Sequence, residues 1–99
     1  MQAKGGWYKT YRIVWSDRSR RDLEGIRAYI GQFAPLASQR FAARLVATVE
    51  ALAQHPDRGL SVAGGVREIV VVTPYRIRYR ITADAVQVIR IRHGGQKPD

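Results

Sequence analysis

The segment Tyr75-Arg-Ile-Arg-Tyr-Arg-Ile81, followed by Val86-Gln-Val-Ile-Arg-Ile-Arg-His93, determines the predicted fold of this chain. Successive side chains of an extended strand point to opposite faces, so the tyrosines and isoleucines of the first segment share one face and its arginines share the other. The short connection Thr82-Ala83-Asp84 predicts that the second segment pairs with the first in antiparallel orientation. The sequence therefore predicts a sheet with one apolar face and one basic face.

Five arginines are expected on the basic face: Arg76, Arg78, Arg80, Arg90 and Arg92. Like charges at neighbouring sheet positions repel one another, so stability alone does not favour such a row. We interpret the row as a binding surface for a nucleic acid or for an acidic partner. The alternative is a solvated strand face on which the arginine stems cover apolar surface.

The composition limits the classes of function. A chain of 99 residues forms one domain, and its formal net charge of +9 favours salt-sensitive contact with polyanions. The absence of cysteine excludes disulfides, thiolate zinc sites and a cysteine nucleophile, and we expect neither a metal nor a cofactor. No apolar run approaches the roughly 20 residues of a membrane span. A soluble, cytoplasmic protein without membrane contact is expected.

The first half of the chain predicts one strand and two helices. Residues 1–10 show no clear period and are expected to form a loose leader, and Tyr11–Trp15 is rich in β-forming residues. Ser16 is suited to cap a helix that begins at Asp17, and Pro35 is suited to the first turn of a second helix. The expected apolar face of the first helix comprises Leu23, Ile26, Tyr29, Ile30 and Phe33, and that of the second comprises Phe41, Leu45, Val49 and Leu52.

The second half of the chain predicts a turn-rich loop from Asp57 to Gly65 and then three strands, the first over Val66–Val72. The order of elements is β-α-α-β-β-β. We predict an α+β fold in which a helical hairpin packs on one face of an antiparallel sheet, with residues 11–99 as a single domain.

Several segments together resemble a known family. They are Tyr11-Arg-Ile-Val-Trp-Ser, Arg21-Asp-Leu-Glu-Gly-Ile, Leu52-Ala-Gln-His-Pro56, Val66-Arg-Glu-Ile69, Tyr75-Arg-Ile-Arg-Tyr79 and Arg92-His-Gly94. Their order and spacing over about eighty residues resemble the RelE/ParE toxins of bacterial type II toxin–antitoxin modules, which act in plasmid stabilisation. The resemblance implies a small basic toxin that forms an oligomer with a co-encoded antitoxin, whose flexible tail wraps the toxin surface.

The resemblance implies one of two activities. RelE-like members cut messenger RNA in the ribosomal A site without a metal, whereas ParE-like members inhibit DNA gyrase. By position in the family pattern, Arg76 matches an arginine that stabilises the transition state, Arg67 lies on the neighbouring strand, and His93 matches a C-terminal histidine. Only the histidine is suited to proton transfer near neutral pH. These three residues are the catalytic candidates if the chain is a nuclease.

Departures from the nuclease pattern in the loop and after the histidine favour the ParE-like activity. The loop from Asp57 to Gly65 has neither the lysines nor the glutamate that nuclease members carry before the second-strand arginine. It therefore offers no convincing residue to act as the general base. Gly94 follows His93 where some nucleases have a tyrosine. We therefore expect an inhibitor that acts by binding gyrase, with the ribosome-dependent nuclease as the alternative. A non-toxic nucleic-acid-binding module and a helix-hairpin interaction protein are further alternatives.

Overall fold

The computed structural model describes residues 9–94 and contains two α-helices, two short 3₁₀ helices and five strands in this range. The α-helices are α1 (Asp17–Gly31) and α2 (Pro35–Ala51). The strands are β1 (Arg12–Trp15), β2 (Leu60–Ser61), β3 (Val66–Val70), β4 (Tyr75–Ile81) and β5 (Ala85–His93). This arrangement confirms the predicted α+β fold and the predicted order of its main elements.

The strands form a single sheet in the order β1-β5-β4-β3-β2. Strands β2, β3, β4 and β5 pair in antiparallel orientation, whereas β1 joins the edge of β5 in parallel, so the sheet is mixed. Strand β2 is an addition to the prediction, because the loop expected from Asp57 to Gly65 contributes two residues that pair with β3. The expected leader, residues 1–10, lies outside the described range except for Lys9 and Thr10.

The two helices begin where the sequence predicts. The hydroxyl oxygen of Ser16 accepts a hydrogen bond from the backbone N–H of Ser19 at 3.0 Å, which caps α1, and Pro35 is the first residue of α2. The four residues expected on the apolar face of the second helix are all buried, although the last of them, Leu52, directly follows α2. They pack into the core with Ile77, Tyr79, Val86 and Val88. Neither helix in the described part of the chain is long and apolar enough to cross a membrane.

The apolar stripe of α1 is narrower than predicted. Leu23, Ile26 and Ile30 pack against the core, but Tyr29 is exposed and Phe33 is 74% exposed. The two exposed rings contact each other edge to face, with their centroids 5.7 Å apart. The periodicity of the sequence predicts that these aromatic residues lie on the apolar side of the helix. Their burial also requires another part of the fold to cover them.

A β-bulge in β5 sets the direction of its last side chains. Arg78 pairs with Arg90 and Tyr79 pairs with Val88, so Ile89 is the extra residue on β5. The bulge changes the alternation of the strand, so Val88 and Ile91 both lie in the core. It also lies against the start of α1, where the Ser16 hydroxyl donates to the carbonyl oxygen of Ile89 at 2.9 Å.

Candidate functional site

The basic face of the sheet is organised around a carboxylate. Nε of Arg78 donates to Oε2 of Glu68 at 2.6 Å, and Nη1 of Arg76 donates to Oε1 at 3.4 Å. Glu68 lies on β3 opposite Arg78, so its side chain projects from the same face as these arginines. The hydrogen bond from Arg78 is the main reason that the pKa of Glu68 lies below its ordinary value, so the carboxylate is ionised at neutral pH.

The other β4 arginine on this face, Arg80, contacts a loop. Its Nη2 donates to the carbonyl oxygen of Gly64 at 3.1 Å. Gly64 itself has a positive φ of 74°, a conformation that glycine adopts without a steric penalty. The three arginines of β4 therefore lie on one face as predicted, but each of them already has a hydrogen-bond partner within the domain.

The two arginines of β5 are much less accessible than the sequence predicts. The register places Arg90 opposite Arg78 and Arg92 opposite Arg76, but Arg92 is only 7% exposed. Nε of Arg90 donates to Oδ2 of Asp22 on α1 at 3.1 Å, and the same oxygen accepts from the backbone N–H of Ile91 at 2.9 Å. The exposed basic surface is therefore formed mainly by β4, and it is smaller than a row of five arginines.

Arg67 holds the loop that precedes β2. It lies opposite the buried Tyr79, so its side chain starts toward the face that the helices cover. Its Nη1 donates to the carbonyl oxygens of Gly59 at 2.7 Å and Asp57 at 3.2 Å. The Tyr79 hydroxyl holds the same loop, because it donates to the carbonyl oxygen of Pro56 at 2.6 Å and accepts from the Gly59 N–H at 2.8 Å.

His93 lies at the opposite end of β4 from this loop. It pairs with Tyr75, and the two rings meet edge to face with centroids 5.3 Å apart. Beside it, between α1 and the ends of β4 and β5, is a cavity of about 340 Å³. The polar and aromatic residues that line this cavity are Arg21, Asp22, Tyr29, Tyr75, Arg90 and His93.

Two of the three candidate catalytic residues, Arg67 and His93, lie far apart along the sheet. Arg76 projects from the basic face, while Arg67 and His93 occupy positions opposite Tyr79 and Tyr75, two residues of the apolar face. Those positions are four residues apart on β4, which is about 13 Å along an extended strand. The arrangement can bind anionic groups at Arg76 and Arg78, and Arg76 lies one residue from the β4 position that pairs with His93. It does not place Arg67 and His93 around one phosphate.

Two residues of the site were missed in the sequence analysis. Glu68 and Asp22 each appeared only inside a family segment, without a role of their own. A signal for Asp22 was present, since Arg18 lies four residues before it and their side chains form an ion pair at 3.5 Å. No group of three or more potential metal ligands occurs among residues 9–94.

Comparisons with known proteins identify a family and related structures. The family model described as "ParE toxin of type II toxin-antitoxin system, parDE" matches residues 13–98. The chain is 47% identical over 85 residues to Toxin RelE2 of Caulobacter vibrioides, covering 86% of this chain and 97% of the relative. It is 39% identical over 88 residues to Putative toxin Y4kP of Sinorhizobium fredii, covering 87% of this chain and 91% of the relative.

Two solved structures share the fold. A chain from the chromosomal ParDE system of P. aeruginosa aligns with a TM-score of 0.75 and 21% identity, covering 85% of this chain and 96% of that one. A chain from the RelBE2 toxin–antitoxin complex of Mycobacterium tuberculosis aligns with a TM-score of 0.62 and 24% identity, covering 86% and 92% respectively. Both similarities concern the arrangement of helices and strands.

Proposed function

Because this chain belongs to the RelE/ParE family of toxins from type II toxin–antitoxin systems, we propose that it arrests bacterial growth by binding and inhibiting DNA gyrase. The observation that carries this proposal is the separation of Arg67 from His93, which pair with β4 positions four residues apart. RNA cleavage requires one group to remove a proton, one to donate a proton and one to stabilise the charged phosphorane, all within reach of a single phosphate. Inhibition by binding has no such requirement.

The contacts of Arg67 support the same proposal. Its guanidinium is engaged with two carbonyl oxygens of the loop, at 2.7 Å from Gly59 and 3.2 Å from Asp57. A residue that holds a loop in this way contributes to the shape of the domain and needs no chemical role. The family model that matches the chain is also that of the ParE toxin.

The alternative is ribosome-dependent cleavage of messenger RNA, and one observation favours it. Glu68 supplies a carboxylate beside Arg76, which the loop sequence did not offer. A general base is most effective when its pKa is close to the working pH, however, and the arginine contacts lower the pKa of Glu68. The relative RelE2 carries the name of the nuclease-like branch, so the two activities must be separated by experiment.

The proposal includes a cognate antitoxin as the binding partner of this chain. The related structures come from a ParDE system and a RelBE2 toxin–antitoxin complex, and this chain has 17 basic against 8 acidic residues. A partner with acidic side chains would be attracted to such a surface and would bind faster at low salt. We propose that the antitoxin forms an oligomer with the toxin and covers part of the basic face.

The deciding experiment compares His93→Ala with His55→Ala. His55 is the other histidine of the chain and is exposed near the end of α2, so its replacement controls for loss of an imidazole. Each variant is expressed without antitoxin, and growth, DNA supercoiling by purified gyrase, and cleavage of ribosome-bound messenger RNA are measured. We expect both variants to arrest growth and inhibit supercoiling, with no cleavage at ribosomal A sites.

A nuclease would give a different pattern. Loss of a proton-transfer group costs about 10²–10⁴ in rate, so His93→Ala would abolish cleavage and toxicity while His55→Ala would retain both. That result, with wild-type protein cutting messenger RNA on purified ribosomes, would replace the gyrase proposal with the alternative. Normal growth on expression of folded wild-type protein would contradict both activities.

A further inference from the structure

We propose that Glu68 is a specificity determinant that prevents the basic face from binding the backbone of nucleic acids and reserves this face for a protein partner. The inference goes beyond gyrase inhibition and concerns what the toxin avoids. A domain with a net charge of +9 encounters a large excess of nucleic acid in a cell, and non-specific binding would sequester it from a protein target.

The position of Glu68 is the first argument. Its side chain is 16% exposed and lies between Arg76 and Arg78, in contact with both. A phosphate that approached Arg76 or Arg78 would also approach this carboxylate, or would have to displace it. Since a nucleic-acid backbone carries closely and regularly spaced charges, it has no neutral segment to place against Glu68.

The surroundings of Glu68 are the second argument. Leu60 is 78% exposed and Val70 is 53% exposed, and together with Val62 they line a depression of about 310 Å³. Its charged lining residues are Glu68, Arg58 and Arg76. The exposed apolar side chains beside this carboxylate and guanidinium make no favourable contact with a phosphate backbone. A protein segment can match all three, because it can carry an apolar side chain, a donor and an acidic group in sequence.

The test measures binding to nucleic acid directly, without gyrase or cell growth, so its failure would leave the gyrase proposal standing. The purified full chain is titrated into a fluorescein-labelled DNA duplex, and separately into a labelled single-stranded RNA, at salt concentrations between about 50 and 200 mM. Glu68→Gln removes the charge but keeps an oxygen that can accept from Arg78. Glu68→Ser removes both and provides a second neutral variant.

Asp84→Asn is the matched control. Asp84 lies in the β4–β5 turn, is 68% exposed and pairs with Arg12 at 3.4 Å, so its replacement also removes one negative charge and releases one arginine. Both Glu68→Gln and Asp84→Asn raise the net charge from +9 to +10. A difference between them therefore reports the place of the charge on the domain and not its amount.

We expect Glu68→Gln and Glu68→Ser to bind both probes at least about tenfold more tightly than wild type. The plot of log K against log salt should steepen by about one to two, because two released arginines each neutralise a phosphate. Asp84→Asn should stay close to wild type. Glu68→Asp keeps the negative charge on the face and should also bind weakly.

Three results would overturn the proposal. Equal gains for Glu68→Gln and Asp84→Asn would show that only net charge matters. A gain for Glu68→Asp as large as that for Glu68→Gln would show that the geometry of the arginines, and not the carboxylate charge, controls binding. Wild-type protein that already binds the duplex as tightly as Glu68→Gln would show that Glu68 excludes nothing.

Discussion

Replacement of Arg67 by methionine should destabilise the protein without a specific loss of chemistry. Arg67 donates to the carbonyl oxygens of Gly59 and Asp57, and the shorter of these bonds, at 2.7 Å, is partly buried. Hydrogen bonds that involve a charged group contribute about 1.5–3 kcal/mol each. Because the longer bond is exposed, we assign most of the effect to the Gly59 carbonyl and expect a loss of about 2 kcal/mol.

Thermal and urea denaturation measure this loss. For a domain of this size, 1 kcal/mol corresponds to about 4–8 °C in Tm, so Arg67→Met should melt about 8–16 °C below wild type. Arg80→Met is the control, because it makes the same substitution on the neighbouring strand at an exposed position with a single bond to the Gly64 carbonyl. It should change the free energy of unfolding by no more than about 0.5 kcal/mol.

The opposite pattern would refute the structural role of Arg67. Residues that act in catalysis or binding commonly contribute nothing to the stability of the fold, or reduce it. A variant that lacks such a residue is therefore inactive but at least as stable as the wild-type protein. If Arg67→Met unfolds at the same urea concentration as Arg80→Met and folded Arg67→Met is not toxic, Arg67 acts on the target and the argument from its loop contacts is wrong.

Two further predictions concern the same loop. Burial raises the pKa of Tyr79, so the neutral hydroxyl stabilises the fold below about pH 10, and this stabilisation is lost at higher pH as the unfolded state ionises. Tyr79→Phe should therefore cost about 1–3 kcal/mol at neutral pH, and urea titrations should show a smaller loss of stability above pH 10 than in wild type. Gly59→Ala should lower the free energy of unfolding by about 1–3 kcal/mol. The added Cβ would lie 2.6 Å from the Tyr79 hydroxyl and 2.8 Å from the backbone oxygen of Glu68. A Tm equal to that of the wild-type protein would contradict this prediction.

Local signals in the sequence were sufficient for the helices and for the faces of β4. A capping serine and a helix-starting proline act within one turn, so Ser16 and Pro35 predict the starts of α1 and α2 without knowledge of the rest of the fold. Alternation along an extended strand likewise separates Ile77 and Tyr79 from Arg76 and Arg78. These features depend on the chain's own geometry over a few residues, which is why they could be read directly.

Features that depend on register could not be predicted. The face on which Arg67 and Glu68 lie follows from the pairing of β3 with β4, and a shift of one residue would exchange the two. The bulge at Ile89 leaves no clear mark in a run of alternating residues, yet it determines where Arg90 and Arg92 project. The burial of Arg92 and the exposure of Phe33 depend on which elements cover them, and this is a property of the whole domain.

The way the sheet edge is closed explains why counting arginines overestimated the basic face. Strand β1 pairs with β5 as far as Val88. Beyond that residue, the edge of β5 is contacted by α1. Asp22 accepts the backbone N–H of Ile91, which would otherwise require a strand partner, and the same carboxylate oxygen accepts from Arg90. One side chain thus satisfies the strand edge and draws a guanidinium toward the helix. The charge that remains on the open face is concentrated at Arg76, Arg78 and Arg80, with Glu68 among them, and this smaller mixed surface favours a protein target over a polyanion.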